Sequence, residues 1–163
     1  MPRTRAITGA DGVFDYTAPA NSLTVITLPP AGGAVGTVSG TVPATLSLTL
    51  GTPASFGTFT PGVTHDYTAA TSADVVSTAG DAALTVSDPD TTHPGHLVNG
   101  AFALPSPLLA GGAPLPSVVR TWTAPVSHDP VDVEFLQHID AHDPLRTGSY
   151  AKTLTFTLST TSP

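Results

Sequence analysis

The sequence predicts an all-β chain folded as an antiparallel β-sandwich, and three observations carry that expectation. Apolar and polar residues alternate with a period of two through several stretches, which places them on opposite faces of a strand. Turn-forming residues interrupt the chain about every 8–12 residues, the spacing of short strands in a sandwich. Finally, 17 prolines and 15 glycines among 163 residues leave little room for long helices.

The elements follow in chain order. Val13–Tyr16 reads as a first strand, and Ser22-Leu23-Thr24-Val25 begins a second that runs to Leu28. Two strands are too few for an independent domain, and Pro29-Pro30-Ala31-Gly32-Gly33-Ala34 has the composition of a short linker. The expected organisation is therefore a strand-pair remnant of a preceding domain over residues 1–30, a linker over 31–36 and a sandwich module over 37–163. Within the module Thr45-Leu46-Ser47-Leu48-Thr49-Leu50 and Thr153-Leu154-Thr155-Phe156-Thr157-Leu158 alternate without fault. Val131, Val133 and Phe135 alternate with Asp132 and Glu134. Threonine is β-branched and favours strand even on the wet face. Further strands are expected at Val35–Val42, His65–Ala69, Ala73–Ser77, Ala82–Ser87, His96–Leu104 and Val118–Pro125. The breakers between them include Gly51-Thr52-Pro53, Thr60-Pro61-Gly62, Asp88-Pro89-Asp90 and Ala110-Gly111-Gly112. The predicted core face carries Leu23, Val25, Leu46, Leu48, Leu50, Val133, Phe135, Leu154, Phe156 and Leu158. Such a series of short strands defines an immunoglobulin-like sandwich.

Composition narrows the function. The formal net charge is -7, and the cations are Arg3, Arg5, Arg120, Arg146 and Lys152. A surface of that sign repels phosphate, which argues against nucleic acid as a partner. No run approaches the roughly 18 apolar residues of a membrane helix. Cysteine is absent, so no disulfide framework is present. Met1-Pro2-Arg3-Thr4-Arg5 leads into a polar segment with no apolar signal core. The low-lysine, Thr/Ser/Gly/Pro-rich composition suits a bacterial secreted module, so a signal is expected upstream in a longer, extracellular parent.

Two resemblances sharpen this. The segment Asp11–Leu28 resembles the closing strands of bacterial glycoside hydrolases in which a TIM barrel carries a β-sandwich, the glucuronoxylanase and glucosylceramidase type. Pro19, Ser22, Leu23, Val25, Ile26 and Leu28 match a final turn and strand, covering under a fifth of the chain and none of the catalytic carboxylates. The remainder, from Val38-Ser39-Gly40-Thr41-Val42-Pro43 to the run Asp143-Pro144-Leu145-Arg146-Thr147-Gly148-Ser149-Tyr150 and Thr155-Phe156-Thr157-Leu158, looks like an accessory module appended to secreted actinobacterial proteins. Together the resemblances imply an extracellular β-sandwich tail following a polysaccharide-degrading domain, and they transfer no binding residue.

Two clusters carry chemistry-bearing side chains. His128, Asp129, Asp132, Glu134, His138, Asp140, His142 and Asp143 lie close in sequence, and Asp132, Glu134, Leu136, His138 and Asp140 share one strand face. Neighbours two apart on a strand are about 6.5–7 Å apart, so His138, Asp140 and His142 converge on one ion only where the strand bends or ends. The plainer expectation is a solvated acidic face. Asp88 and Asp90, in Asp88-Pro89-Asp90-Thr91-Thr92-His93, offer oxygen donors for which calcium is the fitting cation, although Asp-Pro followed by polar residues is also ordinary turn chemistry. No cofactor motif, nucleophile elbow, P-loop or zincin helix occurs, and no catalytic residue is nominated. For glycan stacking the candidates are Trp122, Tyr67, Tyr150 and Phe59, since flat rings supply area at low entropy cost; their plain alternatives are a core tryptophan and strand-end or corner roles.

The expected function is that of a non-catalytic accessory module of a secreted glycoside hydrolase, contacting polysaccharide or cell wall weakly beside a neighbouring catalytic domain. The alternatives are a spacer or interdomain packing module without ligand, for which Trp122 would be buried, and a small metal-dependent hydrolase.

Overall fold

The computed structural model describes residues 3–9, 12–18, 20 and 35–161, and among these every regular element is a β-strand. The chain divides into two units, Met1–Thr41 and Val42–Pro163. In the first, β1 (Arg3–Gly9) pairs antiparallel with β2 (Gly12–Ala18), with Arg3 opposite Ala18 and Gly9 opposite Gly12. Thr4 and Thr17 are register partners whose hydroxyls lie 2.8 Å apart, a cross-strand pair that fixes the register. The strand over Arg3–Gly9 was not anticipated, because its Thr and Arg residues read as a polar lead-in. The expected strand from Ser22 to Leu28, with Leu23 and Val25, lies outside the described residues, as does most of the linker.

The second unit is built on two antiparallel sheets. One has five strands in the order β3 (Leu46–Leu50), β4 (His65–Ser77), β11 (Val126–Ile139), β8 (Leu108–Ala110) and β9 (Ala113–Pro114). The other has three, with β5 (Ala82–Ser87) between β10 (Ser117–Trp122) and β12 (Thr155–Ser159). A small separate ladder joins β6 (Val98–Asn99) to β7 (Phe102–Ala103). Alternation decides what each strand buries. Ala82, Leu84 and Val86 of β5 point inward between two flanking strands, while Thr71, Ala73, Val75 and Ser77 of β4 and Val131, Val133, Phe135, Gln137 and Ile139 of β11 point inward from the larger sheet. Residues of both sheets form one buried cluster with Leu97, Leu104, Leu108 and Trp122. The rings of Phe135 and Phe156 meet edge-on at 6.4 Å, joining the two sheets through an aromatic contact.

The long β4–β11 ladder pairs Ile139 with His65, Phe135 with Ala69 and Val131 with Ala73. It shifts register between Val126 and Asp129, where His128 adopts a positive φ of 52°, a left-handed conformation that serves a bulge. Inside the core, the Gln137 amide donates from Nε2 to the carbonyls of Ser106 and His138, at 3.0 and 2.9 Å, tying the loop before β8 to β11. Gly51 follows β3 where the backbone passes so close to Ser72 that a Cβ would collide with the Ser72 hydroxyl, and its N–H donates to Ser72 O at 2.8 Å. Past β12, Thr160 Oγ1 and the N–H of Thr161 donate to Asp81 Oδ1 at 2.7 and 3.0 Å.

Several elements differ from expectation. His65–Ala69 and Ala73–Ser77 are parts of one strand, since Ala70, Thr71 and Ser72 continue the ladder without a break. His96–Leu104 supplies only the two short pieces β6 and β7. Val35–Val42 forms no strand, and Val35, Val38 and Val42 are exposed. Leu46, Leu48 and Leu50 take the core-facing phase opposite Ser77, Val75 and Ala73. As β3 is the sheet edge, however, only Leu48 packs well and the other two are each 44% exposed. Burial therefore ranks the cost of truncation. Leu84→Ala, at a fully buried site on a central strand, should lower unfolding free energy by about 4 kcal/mol, Phe156→Ala by about 3 and Leu46→Ala by about 1. Urea melts of the three variants check the order, and equal losses would refute it.

Candidate functional site

The β4–β11 register distributes the acidic and histidine side chains. His138 stands opposite Asp66, with Nδ1 2.6 Å from Asp66 Oδ1. At the bulge, His128 Nδ1 lies 2.8 Å from Asp74 Oδ2. His142 Nδ1 lies 3.0 Å from Asp140 Oδ1, which also accepts the His142 N–H at 2.8 Å. The cluster that looks continuous in sequence thus contains three His–Asp contacts, two of them with aspartates of β4. Among the described residues no group of three or more His, Asp or Glu side chains is arranged to hold a metal, so His138, Asp140 and His142 do not converge. The hydrogen bond to Asp66 raises the His138 pKa above 6.5 against a smaller opposing effect of desolvation, and the Asp140 pKa is lowered below 3.8, chiefly by the His142 N–H and imidazole.

Asp88 and Asp90 serve a cation supplied by the chain. Lys152 Nζ donates to Asp90 Oδ2 at 2.7 Å and to the His93 carbonyl at 2.8 Å, and lies 3.0 Å from Asp88 Oδ2. The side chains of Lys152 and Asp88 are only 4% and 3% exposed, and that of Asp90 is 33% exposed. The loop wraps this ammonium with its own backbone. Asp88 accepts the N–H groups of Asp90 and Gly95, at 2.9 and 2.7 Å, and Asp90 Oδ1 accepts that of Thr92 at 2.7 Å. Burial alone would raise the Asp88 pKa, but the two N–H groups and Lys152 hold it below 3.8. The Lys152 contact, with the Thr92 N–H, brings Asp90 down to about 2. Burial pushes Lys152 down, yet the two carboxylates outweigh it and raise its pKa above 10.5. The oxygen set proposed for calcium is therefore occupied by Lys152, which lies 62 residues from Asp90.

The aromatic candidates are also committed inside the fold. Trp122 is 8% exposed in the core, and its Nε1–H donates to Asp129 Oδ2 at 2.6 Å. It offers no surface platform. The Tyr67 hydroxyl accepts the Thr60 N–H at 2.8 Å, and the Tyr150 hydroxyl accepts the Arg146 N–H at 2.9 Å. Both rings are half-buried in a cluster with Phe59, whose ring centroid lies 4.8 Å from Tyr67 and 6.3 Å from Tyr150.

These tethers shape a cleft of about 960 Å³ between the segment after β3, which carries Pro53, Phe56 and Phe59, and the segment before β12, which carries Leu145, Arg146, Tyr150 and Leu154. Its floor is the core itself, at Leu97, Leu108, Phe135 and Phe156. Among the described residues no carboxylate lines it, whereas Arg146 and Lys152 do. Arg146 stands over the Phe102 ring, with its guanidinium carbon 3.1 Å from the centroid. Sequence reading found Phe59 and Tyr150 but missed the cleft they line. Phe56 lies in an irregular segment, where no periodicity marks which face is inward.

In comparisons with known proteins, no family model, no curated protein and no solved structure matches this chain.

Two outcomes follow. Breaking the ion cluster by Lys152→Met leaves buried Asp88 uncompensated and should cost about 3 kcal/mol, the low end for a buried pair because Asp90 is partly wet. Because Asp88 and Asp90 titrate below their ordinary value, the stability they contribute is complete above about pH 4 and is lost as pH falls toward 2. Acid titration of melting temperature should therefore drop steeply in the parent and less in Lys152→Met; parallel curves would refute the assignment. His138 has the opposite sign. Its contribution is present below pH 6.5 and fades as pH rises through its raised pKa, and imidazole NMR should show that pKa returning toward 6.5 in Asp66→Asn.

Proposed function

We propose that the Val42–Pro163 unit is a non-catalytic, immunoglobulin-like sandwich module of a secreted polysaccharide-degrading protein, acting as a folded spacer that packs beside a neighbouring domain. The observation that carries this reading is Trp122: the single tryptophan of the chain sits in the core with its N–H on Asp129, so it is withdrawn from any glycan. Support for a non-catalytic role comes from the His–Asp contacts and the Lys152 cluster, which engage His128, His138, His142, Asp88, Asp90 and Asp140 with partners of the same chain. Support for the immunoglobulin-like fold comes from the two antiparallel sheets and from Tyr150, whose hydroxyl meets the backbone four residues upstream near a strand start, in the manner of a tyrosine corner. The extracellular setting rests on the low-lysine, Thr/Ser/Gly/Pro-rich composition and the resemblances of sequence.

Weak contact with polysaccharide or cell wall is the second reading, and the half-exposed rings of Phe56 and Tyr150 at the cleft favour it. A pull-down on insoluble polysaccharides separates the two. The spacer passes unretarded, and Trp122 fluorescence stays that of a buried indole with or without glycan. Retardation abolished by Phe56→Ala, with melting temperature retained, would instead establish the second reading.

A further inference from the structure

The lining of the cleft does not share the net negative charge of the protein. Ten of the twelve carboxylates lie after residue 41, where the only cations are Arg120, Arg146 and Lys152. Yet among the described residues no carboxylate lines the cleft, and two of those three cations do. Lys152 is bound by both Asp88 and Asp90, a cluster of one ammonium and two carboxylates that is net negative. Arg146 differs: it is exposed, and among the described residues no carboxylate is ion-paired with it. Stacking on Phe102 holds the guanidinium in place while leaving its edge N–H donors for a planar acid. The walls mix Phe56, Phe59, Leu145 and Leu154 with hydroxyl side chains such as Thr58 and Ser149, and the floor is core, so an occupant that reaches the floor gains by burying hydrocarbon. A cleft of about 960 Å³ is at the upper end of ligand-pocket size.

We propose that this cleft binds an amphiphilic monocarboxylate, an aliphatic acid whose chain lies against Phe56, Phe59, Leu145 and Leu154 and whose carboxylate pairs with Arg146. Charge complementarity selects this class: a cationic amphiphile would meet Arg146, and a neutral sugar would leave the apolar floor without a hydrocarbon partner. The assignment goes beyond the spacer role and stands without it.

The test is calorimetric titration of the full chain with decanoate below its micelle concentration, with decyltrimethylammonium and a neutral xylo-oligosaccharide as parallel ligands. Saturable one-site binding of decanoate is expected, about tenfold or more weaker in Arg146→Gln, as for loss of a charge-assisted hydrogen bond. Arg120→Gln should bind as the parent does, and decyltrimethylammonium should bind neither. Arg146 is exposed, so circular dichroism should show parental melting of Arg146→Gln in the absence of ligand. Equal decanoate affinity in Arg146→Gln, equal weakening by Arg120→Gln, tight binding of the cationic amphiphile, or binding of the oligosaccharide without decanoate would each overturn the proposal. The last outcome would at the same time favour the polysaccharide reading over the spacer.

Discussion

The β4–β11 ladder is the constraint from which the rest of the second unit follows. Once Phe135 stands opposite Ala69 and Val133 opposite Thr71, a slip of one residue would turn Val131, Val133, Phe135 and Ile139 outward and bring Asp132, Glu134 and His138 into the core. Burying those charges unpaired costs far more than any local preference offers. The same register delivers His138 to Asp66 and, through the bulge, His128 to Asp74. Hydrophobic phase and polar pairing therefore support one alignment, each strengthening the other.

Strand identity was legible where alternation was strict. Ala82–Ser87 is the predicted span, and the inward phase of Val133 and Phe135 follows from period two. Edge position was not legible. Leu46 and Leu50 have the right phase and yet remain half exposed, because nothing in a strand's own sequence tells whether a second neighbour will cover it. The chemistry-bearing residues were harder still. Lys152 reads as one polar residue before a strand, and Asp88 and Asp90 as turn formers or calcium ligands. Their meeting depends on the return of β12 along β5, a contact across more than sixty residues. The His–Asp pairs have the same origin: sequence proximity grouped His128 through Asp143, whereas sheet pairing drew two of these histidines to β4.

Few charges make each one matter. With only 10% charged residues, the unit places its carboxylates on the β11 face, on β4 and around Lys152, and leaves the cleft free of them. The Tyr67 and Tyr150 tethers act in concert with this segregation. Each fixes a loop backbone by a hydroxyl while its ring packs with Phe59, so one side chain closes a hydrogen-bond requirement and forms an apolar wall.

The last strand is held at both ends. Ahead of β12, Lys152 is bound by Asp88 and Asp90; behind it, Thr160 and Thr161 are bound by Asp81. Asp81 precedes β5 and Asp88 follows it, so the two anchors bracket the one strand that β12 pairs with. Tension applied beyond Thr161 meets the Asp81 latch before it reaches the ladder, and the Lys152 cluster stands at the far end of the same pair of strands. The arrangement resists peeling of β12 from its end, and gives the unit a mechanical toughness greater than its five-residue terminal strand alone would provide.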